Sequence, residues 1–223
     1  MSRSVSLSTL LLFVAAFTVV GFSSTEIASL EVPEKNSETQ EALYLPNGES
    51  LKALSLGYSN SLAHILWFNT INYFGKHYAG DRNYRWLAHM CDLVTTLTPK
   101  ATQATLFCGT MLAWEAQQPD KSVAILTRAI ENNPTDWRLP YQRGMMELLF
   151  LKDSASAQSD FVMAAKLPNA HPTVKRLAAK TLAEHQDKRT ALEFLDRLIE
   201  DEDDQTVRKV LIAKRDEIAL GDR

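Results

Sequence analysis

The chain has 223 residues, 45% of them hydrophobic and 23% charged, which excludes a disordered polar chain and suits one domain or a small repeat array. Lys and Arg total 24 against 27 Asp and Glu, a net charge of -3, so no overall positive field exists to hold nucleic acid. The first element is an uncharged run from Leu7 to Phe22 that follows Arg3. Residues 1–23 read either as a signal-anchor or as a cleaved signal peptide. Gly21 and Ser23 are small enough for a cleavage site, while the run approaches the roughly 17-residue lower limit of a spanning helix. The anchor is the preferred reading. The flank after the run carries Glu26 and Glu31, so the N-terminus stays cytoplasmic and the rest crosses. This predicts a single-pass inner-membrane protein with a periplasmic or other extracytoplasmic domain, or a protein released to the periplasm where the signal is cleaved.

Residues 24–48 mix charge, Ser, Pro33, Pro46 and Gly48 without periodicity and read as a linker ending in a turn. Residues 49–223 form the repeat domain. Here apolar segments of helical length alternate with short breaks, at Ala79-Gly80-Asp81, Thr98-Pro99-Lys100, Gln118-Pro119-Asp120, Asn133-Pro134-Thr135, Lys152-Asp153-Ser154, Pro168-Asn169 and Gln186-Asp187-Lys188. Pro119 and Pro172 suit first-turn positions, and Asp136, Asp153 and Asp187 suit helix caps. The first helix is expected to run from Ser50 to Tyr78. Almost nothing alternates with period two, so the fold class is all-α.

The segments repeat at a fixed step. Gly109 and Gly144, Ser122 and Ala157, Leu126 and Phe161, and Ala129 and Ala164 each lie 35 residues apart, as do Cys91 and Leu126, and Pro99 and Pro134. A step two helices long signals a helical solenoid, with small residues where helices approach and bulky ones between hairpins. The order Gly144, Ala157, Phe161, Ala164, Pro168 resembles the tetratricopeptide repeat, a helix hairpin, and Gly109, Ser122, Leu126, Ala129, Pro134 is similar. Both copies carry one extra residue between the glycine and the small residue of the second helix, and Pro140 stands where the family has an aromatic. A fainter copy runs through Ala179, Ala191, Leu195 and Leu198. The resemblance implies a right-handed α-solenoid of about four hairpins over Trp67 to Leu198, closed by a C-terminal capping helix with Val207, Val210, Leu211 and Ile218 on its apolar stripe.

A search for chemistry finds little. The five histidines form no i, i+4 pair, and no phosphate-loop, dinucleotide or nucleophile-elbow motif occurs, so the sequence calls for no enzyme, metal, cofactor or small-molecule substrate. His89 and Asp92 share a helix face and suit a surface hydrogen bond. The acidic run Glu200 to Asp204 lacks calcium-loop spacing and reads as a solvated connection that caps the last helix. Cys91 and Cys108 flank the Pro99-Lys100 break almost symmetrically, which admits a disulfide between adjacent helices or two small core residues. The aromatics Trp67, Phe68, Tyr73, Phe74 and Tyr78 are core residues on one reading and a docking surface on the other.

In tetratricopeptide arrays the first helices line a concave groove for a partner's peptide. The resemblance assigns that role to Leu106, Thr110 and Ala113, then Arg138, Tyr141, Met145 and Leu148, then Arg176 and Lys180. These residues do not match the family's carboxylate clamp. They suit an amphipathic helix or an extended apolar peptide, with Arg138 holding one acidic contact. The expected function is therefore a non-catalytic scaffold binding a protein partner at the cell envelope. The alternative is a structural or assembly subunit of a membrane complex, working through its aromatic first helix and convex surface.

Overall fold

The computed structural model describes residues 46–220. The hydrophobic N-terminal run and nearly all of the linker lie outside them. Asn47 starts the first helix, its side chain accepting the Ser50 N–H at 2.9 Å, and α1 runs over Gly48–Leu54. Gly48 is buried against Thr96: a Cβ there would meet the Thr96 side chain at 2.7 Å, so only glycine fits. The chain then turns through Leu56 and Gly57, both at positive φ, into α2, Ser59–Ala79. The continuous helix expected from Ser50 is therefore two, broken where Gly57 takes a backbone shape that other residues resist.

The remaining helices are α3 (Leu87–Leu97), α4 (Thr102–Trp114), α5 (Pro119–Asn132), α6 (Arg138–Met146), α7 (Ser154–Lys166), α8 (Pro172–His185), α9 (Lys188–Glu200) and α10 (Gln205–Leu220). All regular structure among the described residues is helical, and no described helix is long and apolar enough to cross a membrane. The breaks follow cap chemistry. Asp153 accepts from Ser156 N–H and Asp187 from Thr190 N–H, while Pro119 and Pro172 open α5 and α8. Asp136 lies one residue before the cap position of α6 and takes the Arg138 N–H at 3.1 Å.

Packing follows chain order. Within helix pairs α2 packs on α3, α4 on α5, α6 on α7 and α8 on α9; between pairs α7 lies on α8 at least as closely as α8 lies on α9, α5 lies on α6, and α4 touches α6 as α8 touches α10. Residues 35 apart do the same work. Gly109 lets α4 approach α5, where an added Cβ would stand 3.1 Å from Leu126, and Ser122 Oγ donates to the Gly109 carbonyl at 2.7 Å. Gly144 does this for α6 and α7, its missing Cβ leaving room for the Phe161 ring and the Ala157 carbonyl. Ala157, Phe161, Ala164, Ala179, Ala191, Leu195 and Leu211 continue the core through α10.

Three further links tie neighbouring helices. Cys91 and Cys108, both fully buried, form a disulfide between α3 and α4 with Cα atoms 5.7 Å apart. Arg128 on α5 donates to Asp92 and Thr95 on α3, at 2.8 and 2.9 Å, so Asp92 is engaged across helices by Arg128. Arg143 on α6 forks onto the buried Asp160 of α7 with two bonds of 2.6 Å and also reaches Thr127 on α5.

After Met146 the helix widens into a π-helical turn, Glu147–Leu151, and ends at Lys152 with φ 58°, where Asp153 N–H closes on the Glu147 carbonyl at 3.0 Å. A π turn accommodates one additional residue within a helix. The acidic connection behaves as its composition indicates: Asp204 accepts the Thr206 and Val207 N–H groups at the start of α10, and Glu202 pairs with Lys175.

Candidate protein-binding groove

The surfaces of α4 and α6 meet in a shallow apolar depression of about 370 Å³. On α4 its wall is Leu106, Thr110 and Trp114, spaced four residues apart and therefore on one helix face. The opposite wall is Tyr141, Met145 and Leu149, each 35 residues beyond its counterpart on α4. Gln142 joins the two walls at the base, its Nε2 donating to the Leu106 carbonyl at 2.7 Å and to Thr110 Oγ1 at 2.6 Å. That bridge occupies both donors of the amide on protein groups and leaves the surface above it apolar.

Aromatic contacts brace the walls. Trp114 packs edge-on against Phe150 with centroids 5.0 Å apart, yet remains 54% exposed. Tyr141 stands between Trp137 and Phe161, 6.1 Å from each. Large, half-exposed aromatics held in place by neighbours supply contact area at little cost in side-chain freedom.

Of the residues assigned from the resemblance, Leu106, Thr110, Arg138, Tyr141 and Met145 come together here. The other assignments need correction. Ala113 is fully buried and belongs to the core with Leu126, Ala129 and Leu139, because it lies three residues past Thr110 and rotates inward. Leu148, 35 residues past Ala113, takes the same inward position and packs onto the core of α7 to α10. Arg176 and Lys180 are exposed on α8 but do not line the depression, and Lys180 pairs with Glu184 at 3.6 Å. Arg138 lines it with its charge already engaged: Nε and Nη2 fork onto Asp136 at 2.8 and 2.7 Å. This pairing holds the Asp136 carboxyl below its usual range and raises the Arg138 guanidinium, so the contact reserved for an acidic partner is made within the chain.

Trp114, Trp137, Gln142, Met146 and Leu149 also line the groove and were not singled out from sequence. The repeat step does contain Trp114 and Leu149, since each lies four residues beyond a residue assigned to the groove. Gln142 had no such signal, because its role depends on a carbonyl of another helix.

Behind the groove, Glu147 is buried beside the Arg143–Asp160 pair, 3.9 Å from Arg143, with Oε2 making no hydrogen bond. Burial, reinforced by the Asp160 charge, pushes its carboxyl up to about 7 against the opposing pull of Arg143. Among the described residues no group of three His, Cys, Asp or Glu is placed to hold a metal. The aromatics of α2 divide between the interior and the surface. Tyr73 is buried, Trp67 and Phe74 pack against Phe107 of α4, and Phe68 and Tyr78 face solvent. A scan against models of known protein families finds no match for this chain, and no curated protein matches its sequence.

Proposed function

We propose that this chain is a tetratricopeptide-like, right-handed solenoid that holds a protein partner in the α4–α6 groove and is kept at the cell envelope by its N-terminal hydrophobic run. The recurring pairs Leu106 and Tyr141, Thr110 and Met145, and Trp114 and Leu149 carry this reading, because they give two adjacent helices one continuous apolar face. Such a face suits an amphipathic helix or an extended apolar segment, anchored by Trp114 and Tyr141. Its role is scaffolding, without a catalytic step.

Trp114 and Leu149 are the residues to change, since Tyr141 and Met145 also pack on the core. A full-length chain carrying Trp114→Glu and Leu149→Glu is expected to lose a protein that the parent crosslinks through a photoreactive group at Thr110, with helical content and melting temperature unaltered. Crosslinking of the same protein by both chains would remove the groove from the function. The second reading, an assembly subunit of a membrane complex, draws on the solvent-facing apolar side chains of α2 and would then lead.

A further inference from the structure

Three charged side chains meet behind the groove, where α6 passes into the π turn. Arg143 gives both of its close bonds to Asp160, while Glu147 Oε1 stands 3.9 Å from Arg143 Nε and Oε2 has no hydrogen bond. Two buried carboxylates therefore share one guanidinium, and only one of them is well bonded to it. With both ionised, the cluster holds an unbalanced negative charge away from water, which is relieved when one carboxylate takes a proton or moves out. The other elements against the turn add no second cation to the cluster. From α7 come Asp160 and, at its cap, the further negative field of Asp153; from α5 comes the Thr127 hydroxyl, which Arg143 also reaches, and the neighbouring Arg128 is engaged by Asp92 and Thr95 of α3.

Glu147 is also the residue on which the turn closes. Its carbonyl accepts the N–H groups of both Lys152 and Asp153, so the five-residue turn is fastened at this one point. The turn in turn carries part of the groove. Leu149 lines the groove, and Phe150 packs edge-on against Trp114 of the opposite wall. A carboxylate drawn toward water at Glu147 therefore pulls on the fastening of the segment that shapes one end of the groove.

We infer that loss of the Glu147 proton releases the π turn and with it the Leu149 and Phe150 end of the groove, so that partner binding there weakens as pH rises past neutrality. The inference rests on the groove reading proposed above. In the closed turn the Glu147 carboxyl is raised to about 7, and in an open turn it meets water and returns toward its ordinary 4.5. The closed form thus binds the proton more tightly, and raising the pH from the lower value through the higher one shifts the balance toward the open form.

The test uses full-length protein carrying 5-fluorotryptophan and a photoreactive group at Thr110, with the Trp114 fluorine resonance identified by its absence from the Trp114→Phe chain. The parent is compared with Glu147→Gln and Glu147→Leu, two different ways of removing the charge, at pH values from 5 to 8 at which far-ultraviolet dichroism shows the helices intact. In the parent, the Trp114 resonance is expected to move with a midpoint near neutrality, and crosslinking of the protein held at Thr110 to fall several-fold between pH 5 and pH 8. In a folded variant without the charge, both should stay at their acid values. A Trp114 resonance that does not titrate, or titrates equally in the variants, overturns this inference alone. So does crosslinking that is equal at pH 5 and pH 8 in the parent while the resonance moves, since the charge is then felt at Trp114 without opening the groove. Absence of any crosslinked protein at either pH overturns the groove reading and this inference together.

Discussion

Glu147 shows how a single carboxyl makes stability depend on pH. At acid pH both folded and unfolded chains hold its proton. Between the ordinary value of 4.5 and the folded value of about 7, the folded chain keeps a proton that the unfolded chain releases. The folded state is therefore progressively disfavoured as pH rises through that window and level above it. After discounting for solvent screening, the loss is roughly 1–2 kcal/mol. Glu147→Gln should raise the unfolding free energy by that amount at pH 8 and change it little at pH 4, as denaturant titrations at both values would show. Gly144 tests a steric limit. Alanine gains about 1 kcal/mol of helix propensity, but its Cβ would sit 2.9 Å from the Phe161 ring and 3.1 Å from the Ala157 carbonyl, and backbone cannot swing aside. Overpacking costs about 1–3 kcal/mol, so Gly144→Ala should be destabilising on balance, read as a lower melting temperature.

Between elements, the contact of α3 with α4 is smaller than the contacts inside the helix pairs, and here the chain carries its one disulfide. The bridge spans a sequence separation of 17, for which loop closure predicts about 3 kcal/mol of stabilisation. The Cys91→Ala, Cys108→Ala double variant should lose that amount in a chemical denaturation curve, and a thiol reductant should shift the parent but not the variant. The sequence made these elements legible through punctuation: Pro119, Pro172, Asp153 and Asp187 stand at helix starts as their chemistry requires. The turn at Leu56 and Gly57 was not legible, because apolar residues flank it and only the backbone angles reveal the reversal. Leu148 was assigned to the groove although it packs on the core, because the inward turn it shares with Ala113, 35 residues earlier, is decided by the helices around it.

At the scale of the molecule, the main contacts among the described residues join helices adjacent or next but one in the chain, so each end helix is held by few neighbours. Leu211 closes the C-terminal one, fully buried in the core shared with α8 and α9. Leu211→Ala should cost about 2–5 kcal/mol and loosen the last helices before the first, which site-resolved hydrogen exchange would detect as faster exchange in α8 to α10. The all-α class and the repeat step were readable because burial imposes one period on every unit. The groove was readable only in part, since rotation of Ala113 inward and the pairing of Arg138 with Asp136 are settled by neighbours in three dimensions. On α8, Arg176, Lys180 and Glu184 occupy the positions that Tyr141, Met145 and Leu149 hold on α6. A segment laid across these helices would meet oil first and charge last. In the proposed scaffold this gives the bound segment a sense of direction, so a partner presented back to front would place its apolar residues over lysine and arginine and be refused.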